Sequence, residues 1–180
     1  MDDRHIAEII RLLEKELENR ELPVVSQLAH ERYDPFAILI STLLSLRTKD
    51  EVTAAATQRL LALASTPEGM LRLSSDEIRR AIYPVGFYRT KAETILRVCR
   101  ELIDRFHARV PNTLDALLSL KGVGRKTANL VISLGFGGAG LCVDTHVHRI
   151  SNRLGYVRTK SPEETEFALR AKLPPKYWSR

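Results

Sequence analysis

The side chain in this sequence best placed for covalent chemistry is Lys126, which follows the turn Gly122-Val123-Gly124. A short helix is expected to end at 118–120, and a strongly apolar one to run from about 125 to 134. Glycine permits positive φ and lets the backbone come close to another surface. The amides that open the second helix then point outward, where the macrodipole favours an anion. A phosphate is the natural occupant, with Lys121 and Arg125 adding charge beside it. The competing reading is a plain helix–turn–helix corner whose glycines only cap a helix. For Lys126, the dipole and Arg125 both disfavour the protonated amine, and a neutral amine is a nucleophile able to form a Schiff base. Against that stands a solvated lysine that contacts phosphate.

The second candidate is Asp144, in Val143-Asp144-Thr145-His146-Val147-His148-Arg149. It sits where a helix N-cap is expected, and its structural role there is to accept amide hydrogen bonds. An N-cap carboxylate can also project into a cleft, ionised and held rigidly. His146 and His148 lie two apart and fall on different helix faces, which is poor geometry for a shared metal. Cys142 reads as apolar packing, and Cys99 as a small core residue. Two cysteines are too few for a disulfide framework or a cysteine-only metal site.

The elements that must hold these residues are helical almost throughout. Ile6, Ile9, Ile10, Leu13 and Leu17 recur at spacings of three and four and predict one buried stripe. Ala92, Ile95, Leu96, Cys99, Leu102, Ile103 and Phe106 repeat the pattern, with Lys91, Glu93, Arg97, Arg100, Glu101 and Asp104 on the other face. Asp34-Pro35 supplies an N-cap and first-turn proline before an apolar helix over 36–46. Ser161-Pro162-Glu163-Glu164 does the same before 167–173, and Asn112 or Thr113 caps a short helix through Leu118. Gly135-Phe136-Gly137-Gly138-Ala139-Gly140 breaks the helix that carries Lys126. The short apolar pieces near Val24 and Leu141 are too brief to build a sheet. The expected fold is all-α, in short helices around one core. Tyr177 and Trp178, after the last helix, have no evident partner, so the chain reads as ending unfinished.

Composition narrows the class. The 180 residues are 44% hydrophobic, enough for a real core, and no apolar run approaches the roughly 18–20 residues of a membrane span. Met1-Asp2-Asp3-Arg4-His5 lacks the character of a signal peptide, and a reducing, cytoplasmic setting fits. The net charge of +6 favours a polyanionic partner without establishing one.

Taken together, 120–128, 135–140 and 143–149 resemble the endonuclease III family of DNA glycosylases, helix-hairpin-helix enzymes with a glycine-rich stretch and a catalytic aspartate. Leu43-Leu44-Ser45-Leu46-Arg47-Thr48-Lys49-Asp50 resembles the family's early DNA-contacting loop, and Val85-Gly86-Phe87-Tyr88-Arg89-Thr90-Lys91-Ala92 its wedge region. The similarity runs over nearly the whole chain. Arg47 stands where many relatives carry glutamine, and Lys121 where proline is frequent.

The resemblance implies roles. Lys126 is the expected nucleophile and Asp144 the assisting carboxylate. Phe87 is the expected wedge, with Arg47 and His146 near the lesion and Thr48, Lys91, Lys121, Gly122, Gly124, Arg125 and Thr127 contacting DNA. The implied activity is a bifunctional glycosylase that removes oxidised pyrimidines and cleaves abasic sites by β-elimination, acting as a monomer on double-stranded DNA, cytoplasmic and nucleoid-associated. The expected organisation is a central helical domain over 24–137 that contains the hairpin. A second, formed by 1–23 and 138–180, is expected to be C-terminally incomplete. Family members usually continue into a four-cysteine loop that holds a [4Fe-4S] cluster. Cys99 and Cys142 match none of its ligands, so no cofactor is expected in this chain. The alternative is a catalytically weak helix-hairpin-helix DNA-binding module; a purely structural scaffold explains neither the basic hairpin nor the lysine–aspartate pair.

Overall fold

The computed structural model describes residues 3–18, 25–27 and 34–178. Met1, Asp2, Val24 and the expected boundary at 23/24 lie outside the described residues. Helices α1 (Asp3–Leu17), α2 (Pro35–Ser45), α3 (Asp50–Leu63), α4 (Pro67–Leu71), α5 (Ser75–Ile82), α6 (Tyr88–Phe106) and α7 (Leu114–Leu118) come first. Helix α8 (Arg125–Leu130) passes into a π-helical turn (Val131–Gly135), and α9 (Thr145–Arg153) and α10 (Pro162–Lys172) follow. The described residues contain no strand, and the fold is all-α. The chain divides into two compact units, Pro23–Gly140 and Met1–Leu22 with Leu141–Arg180.

The larger unit is built around α2. Every residue of α2 from Phe36 to Leu44 is buried, because the helix is apolar on all sides and must be enclosed. It packs against α3, α6, α8 and the π-helical turn. Its polar atoms are satisfied inside: Thr42 Oγ1 donates to the Ile38 carbonyl at 2.7 Å. Pro35 starts the helix as expected, but Asp34 makes no side-chain cap. Helix α6 lays part of the expected stripe into the same core: Ala92, Ile95, Cys99 and Leu102 are fully buried, Val98 joins them, and Leu96, Ile103 and Phe106 are partly buried. Local signals fix the shorter helices. Thr66 caps α4, Ser74 and Glu77 form a reciprocal capping box on α5, and Thr113 rather than Asn112 caps α7.

The smaller unit has a core of its own. Leu141, Val143, Tyr156, Val157, Leu169 and Leu173 form it. Beneath α9 and α10 runs a polar chain, in which His148 Nδ1 lies 2.6 Å from Thr165 Oγ1 and Asn152 Nδ2 donates to Thr159 Oγ1 at 3.0 Å. Tyr177 and Trp178, expected to lack a partner, pack back onto this core. The Trp178 indole donates to the Leu173 carbonyl at 2.8 Å, and Arg170 stacks over its ring. The stripe on α1 is only half used. Ile6 and Ile10 join the core, whereas Leu13 and Leu17 are about half exposed at 52% and 50%, since the core ends partway along the helix.

Truncating the centre of α2 should be costly. Leu39 is fully buried, and Leu39→Ala is expected to remove about 2–5 kcal/mol, read as a lowered urea midpoint at unchanged slope.

Candidate active site and nucleic-acid interface

The hairpin between α7 and α8 is anchored from below by Leu120 and Val123, both buried. Gly122 has φ of 106°, and a Cβ there would lie 2.5 Å from Thr94 Cγ2 on α6, so the fold itself demands glycine. Glu101, also on α6, accepts from the Lys121 amide at 3.3 Å and pairs with Arg105, which bonds Ser119 Oγ at 2.7 Å. Gly124 is different. It occupies the N-cap of α8 with φ of −90° and ψ of 171°, which any residue adopts, and a Cβ would meet nothing within 4 Å. Positive φ and the close approach of Thr94 therefore account for Gly122, whereas Gly124, at the N-cap, is required by neither dihedral nor space. Its missing side chain keeps open space beside the amides that begin α8. Lys121 and Lys126 are exposed at this end, with Arg125 half-buried. Thr127 departs from expectation: its side chain is buried at 1% exposure, facing the core, so only its backbone can meet a ligand.

A second group gathers Arg47, Thr48, Phe87 and Lys91. Arg47 and Phe87 both adopt left-handed backbone conformations, with φ of 54° and 58°. Such geometry costs a non-glycine residue on the order of 1–2 kcal/mol and persists only where the surroundings impose it. Phe87 is 63% exposed, and the Arg47 guanidinium stacks over its ring at 5.7 Å. The loops are held together underneath. Thr48 Oγ1 accepts from the Gly86 amide at 3.2 Å, and a Cβ on Gly86 would strike the Arg47 carbonyl at 2.6 Å. Lys91, expected to contact DNA, instead turns its ammonium into the protein. It donates to the carbonyls of Leu44 and Leu46 at 2.7 and 2.6 Å and to Thr48 Oγ1 at 3.1 Å. An ammonium has three protons, and all three are occupied. Burial draws its pKa down to about 8.

In the smaller unit, Asp144 caps α9. Its Oδ1 accepts from the amides of His146 and Val147, each at 2.9 Å, so the carboxylate is half-buried and fixed in direction. His146 is exposed and lies 3.2 Å from an Arg149 guanidinium nitrogen, while His148 turns to Thr165. Among the described residues, no group of three or more His, Cys, Asp or Glu side chains is disposed to hold a metal ion. An iron–sulphur cluster needs several thiolates, which this chain does not supply. Cys99 is fully buried among apolar side chains that push its thiol up to about 12, and Cys142 is the one other cysteine. Among the described residues no helix is long and apolar enough to cross a membrane.

Sequence reasoning misses the residues that position the loops. Arg59 on α3 donates to the carbonyls of Ala81 and Tyr83 at 2.8 and 2.6 Å and so holds the turn before Phe87. Thr94 is equally silent, and the sequence does not announce the contacts of Glu101 and Gly86 with the loops. Only the Glu101–Arg105 spacing of four carries a sequence signal.

Comparison with known proteins places this geometry. Residues 40–175 match the family described as HhH-GPD superfamily base excision DNA repair protein. Endonuclease III of Thermotoga maritima is 49% identical over 149 residues, which are 83% of this chain and 70% of that protein. Endonuclease III homolog 2 of Arabidopsis thaliana is 45% identical over 79% of this chain, which spans only 39% of that longer protein. Two solved structures, a non-covalent endonuclease III–DNA complex and a trapped covalent intermediate, are 34% identical with TM-scores of 0.87. Each covers 99% of this chain, and this chain covers 81% and 82% of theirs. A hairpin with an exposed lysine behind its second glycine, an aspartate capping the helix that follows, and these matches lead to one assignment: the chain belongs to the endonuclease III family, within the HhH-GPD superfamily of base excision DNA repair proteins.

Proposed function

We propose that this chain is a bifunctional DNA glycosylase and abasic-site lyase that acts on oxidised pyrimidines in double-stranded DNA, as a monomer in the cytoplasm. The observation that carries the reading is the hairpin, where an exposed lysine stands in the first turn of α8 behind a glycine that the fold does not require. Its likeness over 99% of its length to an endonuclease III caught in covalent union with DNA supports the same chemistry.

Backbone phosphate docks against the amides that begin α8, with Lys121 and Arg125 beside it. These contacts carry no sequence information and suit an enzyme that searches any DNA. A damaged, poorly stacked pyrimidine costs least to extrude. Phe87 fills the gap in the stack, with Arg47 against its ring and His146 near the lesion. The Lys126 amine attacks C1′ of the extruded nucleotide, and the bond to the base breaks with its electron pair leaving on the base, which takes up a proton. Asp144, ionised and held by two amides, stabilises the positive charge developing on the sugar. The opened sugar carries an iminium linkage to Lys126. Loss of a C2′ proton then expels the 3′ phosphate by β-elimination, and hydrolysis frees the lysine.

Four variants test the reading. Duplex DNA with one abasic site and sodium borohydride should give a covalent adduct with the unaltered chain and none with Lys126→Ala; a folded, DNA-binding chain that gives no adduct would be a helix-hairpin-helix binding module instead. Asp144→Asn keeps the Oδ1 acceptor for the two amides but removes the charge, so base-release turnover is expected to fall about 100-fold or more with little change in Tm. Unchanged turnover would reduce Asp144 to a helix cap. At the hairpin, Gly122→Ala should lower Tm through its clash with Thr94. Gly124→Ala, at an N-cap where alanine serves less well than glycine, should lower Tm less than Gly122→Ala yet weaken binding to undamaged DNA, and equal affinity would remove the phosphate from that turn.

A further inference from the structure

The pair Arg47–Phe87 is held in a conformation that neither residue favours, and the contacts that hold it converge on one side chain. Lys91 lies one turn into α6 and reaches three places. Its ammonium closes the C-terminus of α2 by taking the carbonyls of Leu44 and Leu46, a favourable site for a cation at the negative end of the helix dipole. The amide of Thr48, which would otherwise satisfy Leu44, bonds the Ser45 carbonyl instead. The ammonium also bonds Thr48 Oγ1, and that same oxygen receives the amide of Gly86, the residue before Phe87. Finally, the Lys91 backbone amide donates to the Phe87 carbonyl at 3.0 Å. One residue thus fixes the loop that carries Arg47, the residue before the wedge and the wedge residue itself.

We infer that Lys91 is a positioning residue for base extrusion: its ammonium locks the loops of Arg47 and Phe87 into one unit, so that both side chains enter the duplex together. The inference rests on the proposed role of Phe87 as the wedge. It does not make Lys91 a contact to DNA, since its three protons already have acceptors inside the protein. A compact ammonium suits three oxygens that converge on a point, whereas a planar guanidinium does not. An arginine is therefore no substitute. Without the cation, the Leu44 carbonyl loses its partner, the Leu46 carbonyl keeps only a 3.3 Å bond from Thr48 Oγ1, and Arg47 and Phe87 are free to relax toward the ordinary backbone region.

The test uses a duplex with a tetrahydrofuran abasic analogue, which carries no aldehyde, and 2-aminopurine beside it as a fluorescent reporter of unstacking. The unaltered chain should raise the fluorescence, and Phe87→Ala sets the level without a wedge. Lys91→Met is expected to fall most of the way to that level, and to lose about 10-fold or more in kcat/KM for base release. Its affinity for undamaged duplex should persist. Lys91→Cys treated with bromoethylamine, which rebuilds an ammonium at the same reach, should recover the signal; the unaltered chain treated alike controls for Cys99 and Cys142. Should Lys91→Met fail to fold, Thr48→Val decides, because it keeps the cation and cuts the link to the Gly86 amide; it too should lower the fluorescence. A Lys91→Met or Thr48→Val chain that unstacks DNA as well as the unaltered one overturns the inference, as does an aminoethylated chain that stays dark while the cysteine variant is folded. No fluorescence rise with the unaltered chain removes the wedge role and the inference with it. Because the analogue cannot form a Schiff base, loss of borohydride trapping alone leaves this result standing.

Discussion

Burial of one face of α6 governs what the larger unit can present to a ligand. Ala92, Ile95, Val98, Cys99 and Leu102 are all fully buried, so the helix cannot turn about its axis without exposing several large side chains. That fixes the direction of its polar edge. Lys91 then meets the end of α2, Thr94 meets Gly122, and Glu101 meets the Lys121 amide. The loops themselves contribute little: Val85, Leu120 and Val123 are their buried anchors. Sites borne by loops need a rigid reference, and here a single helix supplies it to both the hairpin and the Arg47–Phe87 pair.

Much of this is legible in the order of the residues alone. The period of three and four exposes the stripe of α6, and the proline and hydroxyl signals locate the starts of α2, α7 and α10. The Gly-x-Gly turn locates the hairpin to within a residue or two. These signals are local, written in neighbouring residues. What escapes is long-range. The ammonium of Lys91 meets partners 43 to 47 residues earlier, and Arg59 meets carbonyls 22 and 24 residues later. A lysine near a basic loop reads as a phosphate contact until its acceptors are known. Thr127 is misjudged for a related reason: a residue one step along a helix turns by about 100°, enough to carry it from Lys126's exposed face into the core. The left-handed φ of Arg47 and Phe87 has no signal, because neither residue type announces it.

The positive charge also changes meaning once it is sorted. A net charge of +6 suggests a polyanion, but the sum counts cations that are engaged within the protein. Lys91 and Arg59 brace carbonyls, Arg105 braces the hairpin, Arg79 bridges Asp76 and Glu93, and Arg170 ties Glu166 and Trp178. At the hairpin, Lys121 and Lys126 are exposed, with Arg125 half-buried beside them. Charge that is aimed gives register as well as attraction.

The backbone at position 87 also limits which side chains could ever stand there. A φ of 58° admits an unbranched or aromatic side chain at some cost, but branching at Cβ crowds the neighbouring carbonyl and is close to prohibited. Leucine, methionine and tyrosine are therefore admissible replacements for phenylalanine at this tip, whereas valine and isoleucine, equally apolar, are not. The tip's chemical repertoire is set by a dihedral angle before it is set by hydrophobicity. Divergence among such proteins would then be channelled toward long, slender tips and away from short, branched ones.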